Sequence, residues 1–184
     1  MEVPYANLNR IYQESKVELD KAVKDCVDNS WFIKGPKVVE FEKKLSEYCG
    51  APAVGVSSGT SALLLAYECL GLKPGDKIVI PSFTFISTPE MASKLGLEIV
   101  WADCNKDNYT INTDDLAGIL SSTKDIKAIV GVDIFGHTCD WDTIKDIAGD
   151  IPVVQDAAQS FGGRYKGKLN GTYNNLTCFS FYPA

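Results

Sequence analysis

From residue 53 onward the chain alternates short apolar runs with longer amphipathic stretches, and this alternation constrains its fold more than any other feature. Ala53–Val56, Lys77–Ile80, Glu98–Trp101, Ile126–Val132, Pro152–Gln155 and Leu176–Phe181 read as strands. Between them, Gly59–Leu70, Thr88–Leu95, Asn112–Leu120 and Asp142–Ala148 read as helices. Turn residues punctuate the pattern: Gly71 and the run Lys73-Pro74-Gly75-Asp76 end the first of these helices. Ser87 or Thr88 is placed to cap the second, with Pro89 tolerated in its first turn. Asn112 stands as N-cap of the third, with Asp115 at N3. Strands joined through helices pair in parallel, and a parallel sheet is covered on both faces. The fold class expected is therefore α/β: a three-layer α/β/α arrangement around a mostly parallel sheet, with working groups at the carboxyl ends of the strands.

Two helices precede this region. Glu14–Val27 carries an apolar stripe of Val17, Leu19, Ala22, Val23, Cys26 and Val27. Trp31-Phe32-Ile33-Lys34-Gly35-Pro36 interrupts it, and a second helix follows with Val38, Val39, Phe41, Leu45 and Tyr48 on one side, closed by Gly50 and Pro52. The boundary expected is at residue 36, with an N-terminal helix and loop over 1–36 and the α/β domain over 37–184.

The 184 residues are 45% hydrophobic and 23% charged, enough for one good core. Net charge is -6 without a basic block, which disfavours nucleic acid as a partner. The six cysteines form no C-x-x-C pair and several sit in apolar runs, as in Glu68-Cys69-Leu70 and Thr177-Cys178-Phe179. They read as small core residues of a reducing compartment, without a metal site. The start of the chain has no charged-then-apolar leader pattern, and no apolar run is long enough to span a bilayer. A cytoplasmic protein with no membrane partner is expected.

Four segments could carry chemistry. Val56-Ser57-Ser58-Gly59-Thr60-Ser61-Ala62 joins a strand to a helix. Gly59 permits close backbone approach, and the free N–H groups and hydroxyls at the helix start suit a phosphate. A capped helix start without ligand explains the same residues. The loop also spells G-x-S-x-G, from Gly55 to Gly59, but Ser57 follows the first strand and the only histidine, His137, lies mid-chain. Both facts oppose a hydrolase. Asp156 ends an apolar strand and precedes Ala157 and Ala158. It either holds a cation, such as a protonated ring nitrogen, or caps the next turn. Phe85 follows the second strand and is either a stacking surface for a flat ring or core. Ser180, in Cys178-Phe179-Ser180-Phe181, is either a further phosphate ligand or the polar face of a strand.

Taken together these segments resemble the sugar-nucleotide aminotransferases of the DegT family, within the fold-type-I enzymes that use pyridoxal 5'-phosphate (PLP). The resemblance is carried, in order, by Trp31–Pro36, Ser58–Leu63, Pro74-Gly75-Asp76, Pro81-Ser82-Phe83-Thr84-Phe85, Asp156-Ala157-Ala158-Gln159, Tyr165-Lys166-Gly167 and Cys178–Pro183. It implies that Gly59, Thr60 and Ser61 cradle the cofactor phosphate and that Ser180 is a further phosphate ligand. Phe85 would stack on the ring, Asp156 pair with the pyridinium, Gln159 bond the ring hydroxyl, and the Trp31–Pro36 loop lie near the active site. The Schiff-base lysine of the family would come directly after Ala184, so the expected catalytic group falls outside these residues. A complete family member is also about twice as long, with a smaller C-terminal domain.

The reaction so implied is transfer of an amino group, from L-glutamate, to a keto group of a nucleotide-linked deoxyhexose by a homodimer with shared active sites. Two rivals accompany it. Related dehydratases have histidine in place of the lysine, use pyridoxamine phosphate and eliminate a hydroxyl. A non-catalytic protein of the same fold would act as a regulator or partner.

Overall fold

The computed structural model describes residues 7–182, which fall into two compact units. Of the described residues, the first takes in 7–48, 52–55 and 182, and the second 49–51 and 56–181. Pro183 and Ala184, and the expected position beyond them, lie outside the described residues.

The first unit is built on α1 (Leu8–Asp28) and most of α2 (Pro36–Cys49). Asn7 caps α1 by accepting from Arg10 N at 3.0 Å. Pairs one turn apart, such as Arg10–Glu14 and Lys24–Asp28, line the surface of α1. The apolar stripe read from the sequence is present, yet α1 buries no residue: Ile11, Val17, Val23 and Val27 are exposed. Residues 53–56, expected as a strand, are irregular. Their N–H groups go elsewhere: Ala53 N donates to Ser46 Oγ at 2.9 Å and Gly55 N to Glu42 Oε1 at 2.8 Å, so no strand ladder forms.

The second unit holds a five-stranded sheet in the order β2-β1-β3-β4-β7. Its strands are β1 (Lys77–Pro81), β2 (Glu98–Ala102), β3 (Ile126–Val132), β4 (Val153–Asp156) and β7 (Leu176–Cys178). All pairings within it are parallel. The last strand ends at Cys178, three residues short of the expected Phe181. A small antiparallel hairpin, β5 (Arg164–Tyr165) and β6 (Lys168–Leu169), has strands too short to show a period in the sequence.

Successive strand residues face opposite ways and build two cores. Ile78, Ile80, Ala128 and Val130 pack with Leu63, Ala66 and Tyr67 of α3 (Gly59–Cys69) and Met91 and Ala92 of α4 (Ser87–Lys94). Val79, Ile129 and Val153 pack with Leu116 of α5 (Thr113–Ser122) and Trp141, Ile144 and Ala148 of α6 (Trp141–Ala148). Gly131 is where β3 meets the Trp141 ring: a Cβ there would lie 2.5 Å from it. This is the three-layer α/β/α fold with a parallel sheet. Asn112 caps α5 as expected, accepting from Asp114 N and Asp115 N. Asp115 does not complete a capping box, because its carboxylate takes Asp103 N at 2.7 Å. Three of the six cysteines, Cys49, Cys139 and Cys178, are buried, whereas Cys69 is exposed rather than in the core; none is in a disulfide. No helix among the described residues is long and apolar enough to cross a membrane.

Candidate functional site

At the carboxyl edge of the sheet the polar side chains converge on the first turn of α4. Ser87 and Thr88 were expected to cap that helix. Neither does: the N-cap position is Ile86, with no side-chain cap bond. The Ser87 hydroxyl instead meets Thr60 Oγ1 at 2.8 Å, at the start of α3. The Thr88 hydroxyl donates to Asp156 Oδ2 at 2.8 Å, at the end of β4. Both hydroxyls are buried. They are committed to neighbouring elements and so do not serve their own helix end.

The start of α3 is capped by Ser58, whose Oγ accepts from Ser61 N at 3.1 Å. Ser61's hydroxyl contacts Ser57 Oγ and Ser58 Oγ, so much of its bonding capacity stays within the loop. The N–H groups of Gly59 and Thr60 have no intrahelical acceptor by position. Gly59 is close to Ser180: an added Cβ would lie 3.0 Å from Ser180 Cβ. Gly59, Thr60 and Ser180 are thus brought together, with Ser61 one step behind them. Ser57 makes no bond to His137, which is exposed at the end of a 3-10 turn, Ile134–Gly136; this leaves the hydrolase arrangement unassembled among the described residues.

Asp156 is 5% exposed and accepts two hydrogen bonds, from Thr88 and from Ala158 N at 3.2 Å. Burial lifts its carboxyl above the ordinary range, and the two bonds pull the other way. Two titratable groups lie beside it. The Tyr67 hydroxyl is pushed far up by burial and the nearby carboxylate, and the Cys178 thiol is pushed up to about 12 by the same two causes. Both are therefore neutral near pH 7, which leaves Asp156 as the one carboxyl of this group. Phe85 is 65% exposed in the loop between β1 and α4. Gln159 is exposed, and its Oε1 accepts from Phe135 N at 2.6 Å, which leaves its amide N–H groups as the end able to donate.

The sequence profile of the DegT/DnrJ/EryC1/StrS aminotransferase family matches residues 13–184. The chain belongs to that family. Among its relatives is dTDP-3-amino-3,4,6-trideoxy-alpha-D-glucose transaminase from Streptomyces venezuelae, 35% identical over 99% of this chain and 48% of that one. The crystal structure of S. venezuelae DesV in complex with a ketimine intermediate superposes with a TM-score of 0.92 at 33% identity, over 98% of this chain and 49% of that one. The PLP-form of Spr1654 from Streptococcus pneumoniae superposes at 0.82 with 29% identity, over 88% of this chain and 45% of that one. The chain spans about half the length of the relatives it matches.

Two participants in this aminotransferase-family fold were not singled out from the sequence. Thr88 was given a capping role, and only its tertiary partner reveals another. Asp133, one residue past β3, is fully buried and accepts from Cys139 N, Gln155 Nε2, Ser160 Oγ and Asn170 Nδ2. The signal available for Asp133 was its place after an apolar strand, which Asp156 shares.

Proposed function

We propose that this chain forms the cofactor-binding part of a PLP-dependent aminotransferase acting on a keto group of a nucleotide-linked deoxyhexose, with L-glutamate as amino donor. The observation that carries this is Asp156: a carboxylate at a strand end, nearly buried, with two bonds from its own chain and acceptor capacity left over. A cationic ring nitrogen is the complement such a group lacks. The other residues fit the rest of the cofactor. A side chain at Gly59 would press on Ser180, its Cβ lying 3.0 Å from Ser180 Cβ, and the N–H groups at the start of α3 suit a phosphate. Gln159 has amide donors that could bond a ring oxygen, and Phe85 offers an exposed ring face. When bound, the cofactor supplies an electron sink for the carbon that exchanges its amino group. Asp156 would keep the ring nitrogen protonated while Gly59, Thr60, Ser61 and Ser180 hold the phosphate. The protein would work in the cytoplasm, consistent with six cysteines outside any disulfide. It would act as a homodimer, for which the exposed apolar residues of α1 offer a surface.

The test is binding followed by turnover. Pyridoxamine 5'-phosphate (PMP), which needs no lysine to hold it, should bind the chain with one-to-one stoichiometry by calorimetry; no binding at millimolar ligand would refute the cofactor assignment. A protein carrying this chain, given PLP, glutamate and a panel of dTDP- and UDP-linked keto hexoses, should release 2-oxoglutarate and an amino sugar. Loss of a sugar hydroxyl without amino transfer would identify the dehydratase instead.

A further inference from the structure

We propose that Thr88 is a positioning residue for Asp156, and that a two-hydroxyl relay from Thr84 through Thr88 fixes the direction of that carboxylate. The inference rests on the cofactor reading above for its consequence, but its geometry stands independently. Thr88 Oγ1 lies 2.8 Å from Asp156 Oδ2 and 3.0 Å from Thr84 Oγ1. A hydroxyl has one proton, and an ionised carboxylate only accepts. Thr88 therefore donates to Asp156, and Thr84 must be the donor to Thr88. The two bonds run in one direction, toward the acid.

Thr88 is itself held in place. Its carbonyl accepts from the Tyr67 hydroxyl at 3.0 Å, and its N–H donates to the Phe85 carbonyl at 3.1 Å. Thr84 and Phe85 are adjacent, so the loop that carries the exposed aromatic ring is tied through Thr88 to the carboxylate. The arrangement fixes Oδ2 against α4 and directs the unused acceptor positions of Asp156 outward. The groups facing Asp156 are Thr88 from α4, Tyr67 from α3, Cys178 from β7 and the Ala158 amide. The carboxylate of neighbouring Asp133 is taken up by Gln155, Ser160 and Asn170. An altered titration of Asp156 after substitution at Thr88 would thus report the lost hydroxyl and no other titrating neighbour.

The experiment compares Thr88→Val, which keeps the shape and removes the hydroxyl, with Thr88→Ser, which restores it. Asp156 is titrated by 13C NMR of side-chain-labelled aspartate, its signal assigned by its absence in Asp156→Asn. The midpoint should rise in Thr88→Val and stay near wild type in Thr88→Ser. PMP affinity at neutral pH should fall roughly tenfold in Thr88→Val, the scale of one hydrogen bond to a charged group, and recover in Thr88→Ser. An unchanged midpoint and affinity in Thr88→Val would overturn the proposal. Should Thr88→Val lose its cooperative melt, Thr84→Val is read instead: a smaller upward movement supports the relay, and no movement overturns it. If wild type does not bind PMP, the cofactor reading falls, while the titration still decides the role of Thr88.

Discussion

Two buried carboxylates stand at the carboxyl ends of neighbouring strands, Asp133 just past β3 and Asp156 closing β4, with Asp133 N bonded to Asp156 O at 2.9 Å. Burial raises both above the ordinary carboxylate value. They differ in how far their own chain satisfies them. Asp133 is enclosed by four donors from four residues, one on Oδ1 and three on Oδ2. An ionised carboxylate has about four acceptor positions, so Asp133 is saturated. Asp156 has two donors and lies at the edge of the core. A saturated buried acid binds loops together; an unsaturated one is a site waiting for a cation. Asp133 pins the segments bearing Cys139, Ser160 and Asn170, and so indirectly the loop of Gln159. Asp156 keeps acceptor positions that its own chain does not fill.

The largest effect that separates the two is on folding. Asp133→Asn sets an amide N–H against the Cys139 N–H donor and removes the charge that Gln155, Ser160 and Asn170 bond, and should cost about 3 kcal/mol. Asp156→Asn should change stability by less than about 1 kcal/mol, because the Thr88 hydroxyl can reverse and accept from the new amide. Urea denaturation with a shared m-value measures both; equal losses would erase the distinction drawn here. The ranking should invert for ligand. Asp156→Asn should weaken PMP at least tenfold, on the scale of a charged hydrogen bond, whereas a milder change such as Ser160→Ala, which removes one of the Asp133 donors, should leave the affinity within about twofold.

A smaller effect lies in the pH dependence of stability. With folded values above the ordinary 3.8, both carboxyls bind their proton more tightly in the folded than in the unfolded state. Their contribution is complete below that ordinary value and is lost as pH rises through the folded values. Asp156→Asn should flatten that fall above the ordinary carboxylate value, as followed by melting temperature against pH. An unflattened curve would mean that Asp156 titrates normally. PMP, by pairing with the ionised Asp156, should lessen that fall with rising pH in the wild type and not in Asp156→Asn.

The smallest expected effect uses the cysteine attached to each acid. Cys139 donates its N–H to Asp133, and Cys178 pairs with Asp156 across β4 and β7. Both thiols are buried and held well above their ordinary value, so a neutral-pH alkylating agent should label exposed Cys69 first. PMP should slow the residual labelling of Cys178 more than that of Cys139. Equal protection would indicate global stabilisation and no local closure at Asp156.

The alternation of apolar runs and helices was enough to read the sheet and its layers, since strand burial on both faces leaves a strong mark. It failed at Ala53–Val56, where apolar residues suggested a strand but Ser46 and Glu42 take the N–H groups that a ladder needs. It also failed at Ser87 and Thr88. A hydroxyl before an amphipathic run reads as a cap, and nothing local reveals that its partners are Thr60, 27 residues away, and Asp156, 68 residues away. Gly59, Thr60 and Asp156 could be picked out because each stands where a strand or helix begins or ends, whereas Ser180 reads as lying inside a strand that in fact ends at Cys178. The direction of the Gln159 amide could not, because it is decided by Phe135 N. Asp133 and Asp156 occupy equivalent places after apolar strands. Only the donors that tertiary packing brings to each tell the saturated acid from the open one.

Ser87 and Thr88 are consecutive, and consecutive helical residues point about 100° apart. One turn of α4 thereby sends one hydroxyl to the start of α3 and the other to the end of β4. The working phase of this helix is set by residue count rather than by chemistry. Inserting a single residue between Phe85 and Ser87 would rotate both hydroxyls together and disconnect Thr60 and Asp156 at once, though every side chain involved would still be present. The stretch Lys106–Asn108 of the loop that follows β2, whose hydrogen bonds are local, should accept added residues far more readily. The segment Thr84–Thr88 is thus fixed in length as strictly as in composition.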